Sequence, residues 1–270
     1  MTTLDSLQTQ INSVIALYSN GQIKEALDNL QTLVKYYPNE PLLYNISGSC
    51  YKAIGQLDTA IESFEKALAI KPNYIEACYN LGNAFKQFGQ LDDAVKSFEK
   101  ALSIKPDYAE AHNNLGATLK ELGQLANAVK SFEKAFAIKP DYIEACYNLG
   151  VTFKELGQHE AAVKCYKKAL DVNPDYAEAH NNLGVTFKEL GQHEAAVKSL
   201  EKAVALKPDY AEAYGNCGNV LLSLKRLNEA LTSYDSALTL NPDLDYILGN
   251  SLHTKMHLCI WDDLPNYLTE

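Results

Sequence analysis

Six asparagines, Asn80, Asn114, Asn148, Asn182, Asn216 and Asn250, stand 34 residues apart, and the register reaches back to Asn12 across one break at Ile46. A carboxamide carries both hydrogen-bond donors and an acceptor. A row of them could grip the backbone of an extended peptide, each bond adding about 0.5–1.5 kcal/mol net. Many such weak rungs would give a broad site with little side-chain selectivity. The same amides could instead tie each helix to its neighbour, and the residues alone leave both readings open. His253 and His257 are four apart, a spacing that could hold a metal on one helix face. Two ligands are too few and no third is evident, so no metal is expected and the pair should line the same face as the asparagines. None of the six cysteines forms a Cys-x-x-Cys pair, and Cys78 and Cys146 lie two periods apart, too far to bridge. Reduced, half-buried thiols are expected. No glycine-rich nucleotide loop is present. Neither a catalytic residue nor a cofactor is expected.

The elements that must carry this row are periodic too. Pro38, Pro72, Pro106, Pro140, Pro174, Pro208 and Pro242 share the 34-residue spacing, which implies stacked supersecondary units rather than one globular core. With proline at position 32, the repeats run 7–40, 41–74, 75–108, 109–142, 143–176, 177–210 and 211–244. Gly48, Gly82, Gly116, Gly150, Gly184 and Gly218 share position 8; Gly21, Gly55, Gly89, Gly123, Gly157 and Gly191 share position 15. Position 15 should end a first helix in the left-handed conformation. Position 8 lies inside that helix, where glycine costs about 1 kcal/mol against alanine. Such a loss makes sense where a second helix comes close, with the alanine at position 20 (Ala60, Ala94, Ala128) as its small partner. Proline then stops the second helix. Asp107/Glu110, Asp141/Glu144, Asp175/Glu178 and Asp209/Glu212 have the spacing of capping boxes, as does Asn73/Glu76. The glutamates at position 2 are therefore expected to cap helices. The asparagine row falls at position 6, mid-helix, where asparagine is a mediocre helix former and its recurrence needs a reason.

The pattern resembles the tetratricopeptide repeat. Residues 79–107 carry that family's positions in order as Leu81-Gly82, Phe85, Ala94, Phe98, Ala101 and Pro106. The likeness is strong over 41–244 and weak over 7–40, where Val14, Leu30 and Leu33 replace the glycine, the aromatic and the small residue. The first repeat should therefore be an end cap. The resemblance implies an all-α, right-handed superhelical solenoid of seven helix-turn-helix repeats. On a helical wheel, positions 4, 7, 8 and 11 (Cys78, Leu81, Gly82, Phe85) form the core side and positions 2, 6, 9 and 13 the opposite one. In tetratricopeptide arrays that second face lines the concave groove. Tyr79, Asn113, Tyr147 and Asn181 at position 5 flank the row, as do His253 and His257. A chaperone-type carboxylate clamp would need basic residues at positions 2 and 5, which are absent. Lys120-Glu121, Lys154-Glu155 and Lys188-Glu189 read as a solvated charged face. Cys78-Tyr79 and Cys146-Tyr147 alternate with His112-Asn113 and His180-Asn181, a 68-residue super-period that duplication of a two-repeat block explains.

Residues 245–270 read as a C-terminal capping helix and tail that leave the repeat pattern, with Ile260 and Trp261 closing the stack. The segment 249–263, with Asn250, His253, Cys259, Trp261 and Asp263, resembles the junction between repeats and catalytic region in the O-linked N-acetylglucosamine transferase family. That family's superhelix also carries an asparagine ladder, and the resemblance implies that all seven asparagines match it. Ile260 departs from the acidic residue that the family tends to place before the tryptophan. No catalytic region follows Glu270, so the chain is not expected to be an enzyme by itself. A net charge of −10 argues against gripping nucleic-acid phosphates or an anionic membrane. No apolar run reaches the roughly 18–20 residues of a membrane span, and the N-terminus lacks a signal region, so a cytoplasmic protein is expected. The expected function is non-catalytic holding of a protein or extended peptide. Two alternatives stand beside it: the substrate-recruiting part of a glycosyltransferase, and a structural repeat protein that assembles as a homo-oligomer.

Overall fold

The structure is a computed structural model and describes residues 3–260. Among these residues there are fifteen α-helices and no strands, so the all-α expectation holds. They group into two compact units, residues 1–139 and 140–270. In the first unit α1 (Thr3–Ser19) pairs with α2 (Ile23–Tyr36), α3 (Pro41–Ala53) with α4 (Leu57–Ile70), α5 (Ile75–Phe88) with α6 (Leu91–Ile104), and α7 (Ala109–Glu121) with α8 (Leu125–Ile138). In the second, α9 (Ile143–Glu155) pairs with α10 (His159–Val172), α11 (Ala177–Glu189) with α12 (His193–Leu206), and α13 (Ala211–Ser223) with α14 (Leu227–Leu240); α15 (Asp245–His257) packs on α13 and α14. Within each unit every odd-numbered helix also touches the next odd-numbered one, and that contact is what brings the asparagine row together.

Inside a pair, the position-8 glycine meets the side chain at position 24 of the second helix, an aromatic ring in every case but Gly184, which meets Leu200. A Cβ on Gly82 would lie 2.7 Å from the Phe98 ring, and one on Gly218 would lie 2.5 Å from the Tyr234 ring. The close neighbour is therefore this ring; the position-20 alanines are fully buried beside it. In the first repeat Val14 stands at position 8 and Leu30 at position 24, both buried, so a larger residue on one helix is matched by a smaller one on the other. The core runs from one pair into the next, for example Ala60 and Phe64 of α4 with Leu81 and Ala84 of α5 in the first unit, and Tyr166, Leu183, Phe187, Leu200 and Tyr234 in the second.

Two expectations are corrected. The aspartates do not form capping boxes. The N-caps of α7, α9, α11 and α13 are Tyr108, Tyr142, Tyr176 and Tyr210, none making a side-chain cap bond. Each aspartate precedes the cap by one residue, outside the position from which a side chain caps. The position-2 glutamates turn instead toward lysines at the end of the same repeat, Glu178 to Lys207 at 3.0 Å and Glu110 to Lys139 at 3.9 Å. The second correction concerns residues 245–260, which keep the helix-ending turn of the repeats. Cys259, 34 residues after Lys225, has the same left-handed φ (58° against 59°) that the position-15 glycines adopt. The closing bond recurs as well: Arg226 N–H donates to the Leu221 carbonyl and Ile260 N–H to the Lys255 carbonyl, both at 2.9 Å. Through this turn α15 ends as the first helices of the repeats do.

Candidate functional site

Asn80, Asn114, Asn148, Asn182, Asn216 and Asn250 are half-buried on their odd-numbered helices, and all but Asn148 bond to the preceding odd-numbered helix of the same unit. In the first unit Asn80 Nδ2 donates to Asn45 Oδ1 at 3.1 Å. Asn114 Nδ2 donates to both the Tyr79 hydroxyl (3.0 Å) and Asn83 Oδ1 (2.8 Å). In the second unit Asn182 Nδ2 donates to the Tyr147 hydroxyl at 2.7 Å, and its Oδ1 accepts from Lys154 Nζ at 3.4 Å. Asn216 Nδ2 donates to Asn181 Oδ1 (3.0 Å) and Asn250 Nδ2 to Asn219 Oδ1 (2.8 Å). Asn148 stands half-buried at the same position of α9. The amide nitrogens are thus spent sideways, on position 5 or position 9 of the helix before. The Oδ1 atoms of Asn80, Asn216 and Asn250 have no protein donor among the described residues, and carbonyl oxygens of this kind can accept N–H groups from outside.

The 68-residue super-period finds a structural role here. After Tyr79 and Tyr147 the next asparagine meets a hydroxyl; after Asn45 and Asn181 it meets an amide oxygen. Tyr79 is held by Tyr108 and Phe98, with ring centroids 5.0 and 5.9 Å away, and Tyr147 by Tyr176 and Tyr166 at 4.9 and 6.0 Å. Burial, reinforced by the Glu178 charge, pushes the Tyr147 pKa up, so its hydroxyl stays protonated.

Several expected site residues lie elsewhere. Asn113 and Asn181 are 0 and 1 % exposed; they lie under the face rather than flanking it, because position 5 packs between helices. Asn12 is exposed and bonds only along its own helix, accepting from Gln8 Nε2 at 3.0 Å. At the break in the row, Ile46 is buried and the adjacent Asn45 supplies the bond to Asn80. His253 and His257 are exposed on α15 with their Nε2 atoms 3.2 Å apart. Ile260 is half-buried, whereas Trp261 and Asp263 lie outside the described residues. The charged positions are not uniformly solvated, since Lys86 bridges to Glu121 of the next odd-numbered helix at 3.1 Å. Asn45, Asn83 and Asn219 were not singled out from sequence; their signal was the offset of 31 or 35 residues from an asparagine of the row. Five cysteines are buried and Cys259 is exposed. Burial raises Cys50 and Cys217 to about 11, so these two are thiols rather than nucleophiles. Among the described residues no three His, Cys, Asp or Glu side chains are grouped to hold a metal, and no helix is long and apolar enough to cross a membrane.

Comparison with known families bears on the repeat architecture. The family described as TPR repeat matches residues 48–89, 82–123, 118–157, 152–191 and 186–225, and two described as tetratricopeptide repeat match 13–40 and 211–244. The chain belongs to the tetratricopeptide repeat family. Among solved tetratricopeptide structures and their relatives, MamA is 27 % identical, with a TM-score of 0.58 over 61 % of this chain and 96 % of MamA. YrrB, described as a TPR protein with an unusual peptide-binding site, is 23 % identical, with a TM-score of 0.62 over 73 % of this chain and 99 % of its own. The C-terminal part of a TPR repeat-containing protein from Cytophaga hutchinsonii is 16 % identical with a TM-score of 0.75, covering 89 % of this chain and 98 % of its own. No curated protein matches this tetratricopeptide chain.

Proposed function

We propose that this tetratricopeptide protein is a non-catalytic scaffold that holds an extended segment of a partner protein along the position-6 face of its odd-numbered helices. The observation that carries the reading is the half-buried asparagine row, whose amide nitrogens are engaged sideways while the Oδ1 atoms of Asn80, Asn216 and Asn250 remain as acceptors. An amide locked by a neighbour is pre-organised, so it loses little rotamer freedom when a peptide N–H reaches it. Tyr79 holds Asn114 in the first unit and Tyr147 holds Asn182 in the second. The peptide-binding site described for YrrB, which shares the fold, lends support. The glycosyltransferase-recruiting alternative would give this face the same task.

The test is selection from a displayed library of extended peptides, followed by fluorescence anisotropy. Replacing Asn80, Asn216 and Asn250 together by alanine should weaken a selected peptide about tenfold or more while helix content is kept. Tyr147→Phe removes the partner that orients Asn182 and should lower stability by about 0.5–1.5 kcal/mol while weakening the peptide less than the triple variant does. Unaltered affinity in the triple variant, or no selectable peptide, would overturn the reading.

A further inference from the structure

We propose that His253 and His257 form a two-ligand site for a borderline divalent transition cation of the Zn2+, Ni2+ or Cu2+ class. Residues four apart lie on one face of a helix, one turn above each other. Here the two imidazoles are brought edge to face, with ring centroids 4.5 Å apart and Nε2 atoms 3.2 Å apart. With metal–nitrogen bonds of roughly 2.0–2.1 Å, nitrogens at that separation subtend roughly 100° at the ion. That angle lies between the octahedral and tetrahedral values, so one cation can be chelated once the donor ring turns by roughly 40° to bring its Nε2 axis off the line between the two nitrogens. In the metal-free pair one Nε2–H donates to the other Nε2. Binding requires the donor ring to carry its proton on Nδ1, so that both Nε2 lone pairs face the ion, with no net proton released.

Imidazole suits Zn2+, Cu2+ and Ni2+, whereas Mg2+ and Ca2+ prefer oxygen ligands. Both side chains are exposed, so the remaining coordination positions are open to water. The other histidines are differently placed. His112 and His180 have Nε2 bonded to the carbonyls of Pro106 and Pro174, and His159 and His193 have Nδ1 buried. The pair is therefore an assignment to α15 alone, and it does not rest on the peptide-binding reading.

Zn2+ titrated into the whole chain should show one site by isothermal calorimetry. Either His253→Gln or His257→Gln should weaken it about tenfold or more, since each removes one of two chelating ligands. Cys259→Ser removes the exposed thiol nearby and should leave the affinity within about twofold of the parent. Circular dichroism of the glutamine variants should be unchanged, because both positions are exposed. The assignment would be overturned by no heat of binding up to millimolar Zn2+, by glutamine variants that bind like the parent, or by a loss confined to Cys259→Ser.

Discussion

At the scale of single residues, the position-24 rings show how one atom changes the balance. Tyr234 donates its hydroxyl to Asn219 Oδ1 at 2.9 Å. Tyr166 is buried with no partner for its hydroxyl, because Val151 occupies the place that Asn219 holds two repeats later. A buried hydroxyl without a partner costs about 1–3 kcal/mol, whereas a made bond contributes about 0.5–1.5 kcal/mol. The two variants should therefore have opposite signs in urea unfolding: Tyr166→Phe stabilises and Tyr234→Phe destabilises. His112 provides a pH signature. Its Nε2–H donates to the Pro106 carbonyl at 2.9 Å while Nδ1 is buried without a partner. Burial first, and then the Lys134 charge, holds its pKa below the ordinary 6.5, against the opposing pull of the Pro106 carbonyl. The unfolded chain then binds the proton more readily than the folded one. This contribution is fully present above pH 6.5 and is lost as the pH falls from there through the lowered folded value. His112→Cys, which copies the residue at position 4 of the neighbouring repeats, should flatten that slope in stability measured against pH. Residue identity at these positions was legible in the sequence; whether a hydroxyl or imidazole found a partner was not, because the partner comes from another helix.

At the scale of the element, the helix-ending turn recurs whether or not glycine is present. Six glycines take positive φ at position 15, and Lys225 and Cys259 are held in the same region. A non-glycine residue there costs roughly 1–2 kcal/mol, partly offset by glycine's greater freedom in the unfolded chain. Lys225→Gly should therefore raise stability by about 0.5–1 kcal/mol, measurable as a higher Tm. The helix periods and their breaks were readable because glycine and proline act locally. The caps were misread: the Asp-x-x-Glu spacing is genuine, but the chain enters the helix one residue later, at tyrosine, and only the backbone path decides that. The recurrence of the helix-ending turn after α15 was not legible, because neither the glycine of position 15 nor the glycine of position 8 recurs there, and Cys259 and Leu252 stand in their places.

At the scale of the molecule, contacts between neighbouring helices only make damage local. Ile247 of α15 is fully buried over Gly215, where a Cβ would lie 2.6 Å from its Cδ1. Ile247→Ala should cost about 2–5 kcal/mol, and hydrogen exchange should quicken in α13 to α15 while α3 to α6 keep their protection. Uniform loss across the chain would contradict that locality. The sequence by itself determined the period, the all-α class and the alignment of the asparagines, since these follow from 34-residue recurrence and helical geometry. Tertiary structure alone decided what the asparagines do with their two ends. Their nitrogens turn to Asn45, Tyr79, Asn83, Tyr147, Asn181 and Asn219, residues 31 or 35 positions earlier. The physical reason is directional: a hydrogen bond depends on the distance and angle between two helices, and neither is written in the spacing along one of them.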